Sequence, residues 1–453
     1  MSEGRAASAV AGTGGDSELE RRAIDVLRAN WLGHATSPSL RLYPHQWSWD
    51  AACIAMGHAP HDQERAETEL RSLFAGQWRN GMLPHIVFTE GARYFPGPEF
   101  WQTGCSPDAP ECPRTSGIVQ PPLHATAARR VYRHARDREG AAAFLEELFP
   151  ALRAWHDYLY RERTRDGEPL VEIWHPWESG MDNSPVWDEA LAALELAEAD
   201  VPEYRRVDVE VAEAAERPSD QHYDRYAYLV HLFRSRGYRA EQIREECPFV
   251  IQPVLFNSIL VRADRDLAEI ARAVGTDPRP FDERADATSA ALEKLWDEER
   301  SVYVDFDLRS GGPARTWTSA GLAPLYAGVP TGERAGRMLE TLAATGLEVR
   351  GGWAATSLPL DDPRFEPSLY WRGPVWPILN WVLYHGLTRY GYDELAAKVR
   401  VAMIGLARRG GFWEHYDPLT GRGHGGPNFA WTAALVLDLM TPDPSNVPSQ
   451  ASN

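Results

Sequence analysis

Lysine is nearly missing from this 453-residue chain: Lys294 and Lys398 are the only two, and the other basic side chains are arginine. That bias reads as genomic base composition rather than function. Positive charge is not in excess either. Lys and Arg number 47 against 65 Asp and Glu, a formal net charge of −18, which argues against a strongly basic nucleic-acid binder. No run of about 18 apolar residues occurs, so no membrane-spanning helix is expected. Cysteine is scarce. Cys53, Cys105, Cys112 and Cys247 lack zinc-type pair spacing. Cys105 and Cys112 can close a small loop disulfide, but free thiols in a reducing cytoplasm are the default. Residues 1–16 carry no apolar signal core, so a cytoplasmic location is expected. Low-complexity repeats and a shared sequence period are also absent. The 43% hydrophobic and 25% charged residues describe an ordinary globular chain.

What is abundant is aromatic: 17 Trp and 17 Tyr, suited to a packed interior and also to stacking on sugar rings. Polar tails are expected at 1–17 and 441–453, leaving one domain over 18–440. Within it, helical spacing recurs. Leu19, Ala23, Leu27 and Trp31 step by four, and Leu145, Leu148, Leu152, Trp155 and Leu159 by three and four. Similar patterns cover 225–236, 254–275, 283–299, 334–344, 375–390, 393–408 and 429–440. Residues 375–387 are apolar nearly all round, as in a helix buried on every side, whereas 393–408 alternates charged and apolar residues and is half solvated. Buried helices interleaved with amphipathic ones predict an all-α fold of two concentric helical layers. Alternating strands are few, Ser301–Phe306 being one example.

Trp and Gly cluster in the connections: YPHQWSWD (43–50), GQWRNGMLPHIVF (76–88), TSGIVQPP (115–122), WHPWESGMDNSP (174–185), YWRGPVWP (370–377) and GFWEHYDPLTG (411–421). Loops on a rigid helical frame are where binding groups usually sit. Asp182 lies in an irregular turn among tryptophans, where desolvation favours the neutral form that a general acid requires. It can equally cap a helix after Pro185. Glu178 and Asp188 compete in the same segment. Glu414 is flanked by aromatics and glycines. Its alternative is a surface pair with Arg409 or Arg422, which contributes little. Asp417, next to it, suits a turn better. Two carboxylates in an aromatic pocket are the equipment of a glycosidase.

Four segments, QWSWD (46–50), WESGMDNSP (177–185), YWRGPVWP (370–377) and FWEHYDPLTG (412–421), together resemble glycoside hydrolase family 63, in its order and across most of the chain. The resemblance implies an (α/α)6 barrel, and hydrolysis of α-glycosides with inversion. It makes Asp182 the general acid and Glu414 the general base. The N-terminal β-sandwich of the family's large processing glucosidases is not expected here. Short members act on glucosylglycerate and mannosylglycerate, and the overall pattern leans to glucosylglycerate. Segment 351–365 resembles their mobile loop region. Tyr43, Trp47, Trp49 and Asp50 match the family's sugar-binding segment, although Asp50 can also cap helix 51–57. Gln120 on its rigid turn suits a hydroxyl or glycerate contact. Trp177, Tyr370, Trp371 and Trp376 suit pocket walls, and Trp381 suits the core. A glycerate carboxylate needs a cation or donors. Arg217 and Tyr223 are the expected contacts, with Tyr94 and Arg372 in neighbouring loops.

Other readings differ in class. A sugar epimerase on the same barrel would use His45, His85, His175 or His415 as bases. A catalytically dead sugar-binding protein would lack one of the carboxylates. Within the hydrolases, mannosylglycerate, trehalose and short α-glucosides compete as substrates. No metal or cofactor is expected. The expected partner is a small-molecule glycoside, not nucleic acid or membrane, and a homo-oligomer is compatible with the sequence.

Overall fold

The computed structural model describes residues 12–197, 201–344 and 346–441. Its barrel helices follow one another in pairs: α1 (Gly12–Ala29) and α2 (Ser48–His58), α3 (Gln63–Phe74) and α4 (His124–His134), α5 (Arg138–Glu162) and α6 (Val254–Ala273), α7 (Arg279–Leu292) and α8 (Pro324–Ala327), α9 (Gly332–Ala344) and α10 (Pro377–Arg389), α11 (Asp393–Gly410) and α12 (Ala430–Met440). The second member of each pair packs on the second members before and after it, and α12 packs on α2. That closes an inner ring of six, with the first members outside, which is an (α/α)6 barrel. Composition explains the sorting. Every residue of α2 is buried, and so are Ala430–Leu439 of α12, whereas α11 leaves Asp393, Arg400 and Arg408 outside the core. Small residues set the spacing of the ring. A Cβ on Gly57 of α2 would lie 2.5 Å from Ala434 Cα of α12, so these two helices touch backbone to backbone.

Three details differ from the sequence reading. Helix α1 begins at Gly12, inside the segment expected as tail, and Asp16 pairs with Arg408 of α11 to anchor it. Residues 1–11 and 442–453 of the expected tails lie outside the described residues. The helix expected to 299 stops at Leu292, because Trp296–Asp297 instead pairs with Val302–Tyr303. The strand expected over 301–306 is split, since Phe306–Asp307 pairs elsewhere, with Ile251–Gln252 and Gly312–Pro313. Cys105 and Cys112 are both exposed free thiols, not a disulfide. No helix of the described residues is long and apolar enough to cross a membrane.

Between α5 and α6 the chain makes a long excursion. It includes the turn Pro176–Ser179, a second turn Pro185–Trp187 and the helix Asp220–Ser235. This excursion and the loops entering α2, α4, α10 and α12 meet over the N-terminal ends of the inner helices.

Candidate active site

One pocket at that end gathers Asp182, Glu414 and all twelve further residues expected at the site. Tyr43, Trp47, Trp49 and Asp50 enter with α2. Asp50 lies inside the first turn of α2 rather than capping it. Gln120 comes on the rigid turn before α4, and its Oε1 accepts the Trp49 amide hydrogen at 3.3 Å. Tyr94 comes from the loop before α4, and Trp177, Arg217 and Tyr223 from the long excursion. Tyr370, Trp371 and Trp376 precede α10. Trp371 and Trp376 stack at 3.6 Å, 5° from parallel, which leaves a flat apolar wall. The free space is small, about 50 Å³, enough for a few waters. A larger cleft of about 940 Å³ opens beside the pocket, between residues 211–216 and 420–428, and holds neither carboxylate.

Glycines make the pocket possible at two points. Gly180 has φ +74°, and a Cβ there would lie 2.6 Å from the Trp49 ring, so the Asp182 turn closes onto that tryptophan only without a side chain. Glu414 sits on the hairpin Trp413–Tyr416/Gly423–Pro427, at a register irregularity between Trp413 and His415. Opposite it, Gly425 has φ +71°, and a Cβ would fall 2.1 Å from Glu414 Oε2.

The two carboxylates are joined through two tyrosines. Asp182 Oδ2 is 3.4 Å from the Tyr370 hydroxyl, which is 3.1 Å from the Tyr43 hydroxyl, which donates to Glu414 Oε1 at 2.8 Å. These links bound the separation of the linked oxygens at about 9 Å, inside the upper limit for an inverting pair, roughly 6.5–9.5 Å. Their surroundings differ. Burial raises Asp182 to about 7, with Arg217 opposing and the Glu414 charge adding. Burial also raises Glu414, but more groups support its charged form: Arg217 at 3.8 Å, the Tyr43 hydroxyl and the Gly426 amide. Asp50 is pushed well up by burial and by the Glu414 charge.

Arg217 is buried, not solvated. Its Nε donates to Asp208 at 3.1 Å, and the guanidinium lies 4.2 Å from the Tyr370 ring centroid. Its Nη1 has no hydrogen-bond partner. The preceding Glu216 accepts from Gly425 N at 3.2 Å and pairs with His424 at 2.6 Å, fixing this segment to the Glu414 hairpin. The competing acids have structural work. Glu178 receives Arg163 and the amides of Val119 and Trp174. Asp188 pairs with Arg372, which keeps Arg372 out of the pocket. Asp417 accepts the amides of Leu419 and Thr420 in its own turn. Ser184, not Asp182, caps the turn after Pro185. Among the candidate histidines, burial holds His45 at about 4 and His175 at about 3, and pushes His85 and His415 well down. Of these four only His85 reaches the pocket. Phe429 and Trp431 complete the wall. They were hidden in the sequence because they read as the apolar start of α12. No cluster of three or more metal-ligating side chains occurs among the described residues.

Comparison with known proteins adds independent information. Residues 43–432 match the family described as mannosylglycerate hydrolase MGH1-like glycoside hydrolase domain. The chain is 49% identical to a mannosylglycerate hydrolase of Rubrobacter radiotolerans, over 93% of this chain and 97% of that one. It is 38% identical to a glucosylglycerate hydrolase of Mycolicibacterium hassiacum, over 94% and 98%. The crystal structure of a family 63 mannosylglycerate hydrolase from Thermus thermophilus, in complex with Tris and D-glycerate, superposes with a TM-score of 0.87 at 43% identity, covering 93% of this chain and 99% of that one.

Proposed function

This chain belongs to glycoside hydrolase family 63, in its mannosylglycerate hydrolase-like branch, and we propose that it cleaves α-mannosylglycerate to mannose and glycerate with inversion, Asp182 acting as acid and Glu414 as base. As a glycoside hydrolase it is not the epimerase considered from its histidines. The observation that carries the acid–base assignment is the proton count along Asp182–Tyr370–Tyr43–Glu414. Two tyrosine hydrogens cannot serve three oxygen–oxygen contacts. A third proton, on one of the carboxyls, satisfies all three. Placed on Asp182, it leaves the charge on Glu414, where Arg217 and two further donors support it. Asp182 then delivers its proton to the leaving glycerate oxygen. Glu414 takes one from the attacking water.

Asp50 and Gln120 are the acceptors for sugar hydroxyls, and the indoles of Trp47, Trp49, Trp177, Trp371 and Trp376 with Tyr94 form the apolar walls. Arg217 Nη1, which makes no hydrogen bond and lies 3.8 Å from Glu414, and the Tyr223 hydroxyl receive the glycerate carboxylate, in keeping with D-glycerate bound to the Thermus relative. The sequence pattern leaned to glucosylglycerate. The relatives favour mannosylglycerate, at 49% and 43% identity against 38%, so glucosylglycerate is the second reading. The test is hydrolysis of both glycosides followed by NMR. Higher kcat/KM on mannosylglycerate, with the β-anomer appearing first, supports the proposal. A reversed preference supports the second reading, and retained configuration overturns the mechanism.

A further inference from the structure

The barrel lumen has a second polar end. Away from the active site, toward the C-terminal ends of the inner helices, lies a cavity of about 350 Å³. Its basic wall is Arg129 and Arg130 of α4, Arg262 of α6 and Arg389 of α10, and Tyr326 of α8 also faces it. Three of the arginines have carboxylates. Arg129 Nε lies 3.4 Å from Asp266, Arg262 pairs with the same Asp266, and Arg130 pairs with Asp438. Arg389 has neither an ion pair nor a hydrogen bond among the described residues. Its stem packs on Gly328, where an added Cβ would lie 3.1 Å from Arg389 Cδ. Burial and the Arg262 charge push its pKa down, and the opposing Asp266 charge, already paired with Arg262, does not cancel them. Tyr326 is 5% exposed, and its buried hydroxyl finds no hydrogen-bond partner among the described residues. Its neighbour Thr126 gives its own hydrogen to Asp266 at 2.7 Å.

Negative ends of helix dipoles favour arginines at such positions. They do not account for a buried hydroxyl with no partner, since such a group costs free energy unless something accepts from it. We propose that this cavity binds a small phosphate-type oxyanion, free or as a monoester, between Arg389, Arg262 and the Tyr326 hydroxyl. Guanidinium forks suit a tetrahedral multivalent anion, and the tyrosine adds one donor. With a net charge of −18, the protein as a whole repels anions, so such a site works only through this local cluster.

Isothermal titration of the whole chain with inorganic phosphate, at ionic strength held constant with sodium chloride, tests this. One saturable site is expected. Arg389→Gln and Tyr326→Phe should each weaken it by about tenfold or more, while kcat in phosphate-free buffer stays at the wild-type value. Mannose 6-phosphate titrated in parallel distinguishes the sources: tighter binding than phosphate points to an ester, weaker binding to the free ion. Should Tyr326→Phe melt early, Arg389→Gln at the exposed rim decides alone. Absence of heat beyond the chloride control, or an unchanged phosphate affinity in Arg389→Gln, overturns the proposal.

Discussion

The two ends of the barrel lumen hold the same kind of residue in opposite states. At the N-terminal end, Asp50, Asp182 and Glu414 are buried with Arg217 as the cation among them, and all three are pushed up, Asp182 to about 7. At the far end burial also acts to raise Asp266 and Asp438. There Arg262 and Arg129, and Arg130, outweigh it, and both are held below the usual range. Burial alone therefore does not decide whether an aspartate is an acid catalyst or a structural anion; direct pairing does, since Arg262 and Arg130 bond Asp266 and Asp438 while Arg217 acts on Asp182 only through its charge. One end is short of positive charge and can move protons. The other has a guanidinium to spare and holds its protons fixed.

The sharpest way to break this comparison is to remove the titrating groups. Asp182→Asn and Glu414→Gln should each lower kcat by about 10²- to 10⁴-fold with an unchanged circular dichroism spectrum, while Arg389→Gln at the far end leaves kcat alone. Near-wild-type turnover in either carboxylate variant would remove that residue from its role. Gly425→Ala comes next. It places a Cβ 2.1 Å from Glu414 Oε2, and a base displaced by about 1 Å costs about 10²-fold in kcat, measurable without loss of the fold. Arg217→Ala should lower kcat/KM on the glycerate glycoside by roughly 10- to 150-fold and much less on the corresponding glycerol glycoside, which lacks the carboxylate. Equal losses on both would show that Arg217 serves Glu414 alone. Tyr43→Phe has a smaller effect, readable as pH. Tyr43 donates to the charged form of Glu414, so its loss raises the Glu414 pKa and moves the acid limb of kcat/KM to higher pH. A limb that stays in place would argue that Glu414 is not the group being titrated.

Much of this was legible in the sequence, and the exceptions have physical causes. Apolar spacing separated the all-round buried stretch at 375–387 from the half-solvated 393–408, and these became an inner and an outer helix. Aromatic loops with Gly, Pro and Asn marked the segments that meet at the pocket. Helix α8 was invisible, because a four-residue helix has no periodicity. Arg217 was expected as a substrate contact on a loop, but nothing nearby in sequence reveals that Asp208, Tyr370 and Glu414 close over it. The far-end cavity was hidden for a similar reason. Arg129, Arg130 and Asp266 look like outward-facing positions of amphipathic helices, and only ring closure turns them inward.

The smallest effect concerns stability, and its sign follows from the same contrast. The Asp182 carboxyl titrates at about 7 in the folded protein, against an ordinary value of 3.8. Below the lower value it is protonated in both states and costs nothing. Between the two, the unfolded chain ionises while the folded protein keeps its proton, so stability falls as pH rises. Above about 7 the folded protein carries a buried charge, and the penalty is complete. Asp182→Asn removes that penalty with little change of shape, in line with the trade between activity and stability at such sites. The variant should therefore melt higher than the wild type at pH 8, by an amount on the order of a few degrees for a chain of this size. The gain should shrink toward zero near pH 4. An aspartate at the far end behaves in reverse. Asp266 is ionised and paired, so Asp266→Asn should lower the melting temperature at pH 8 and lower it less in acid. If both variants shift in the same direction at pH 8, the contrast between the two ends is not electrostatic.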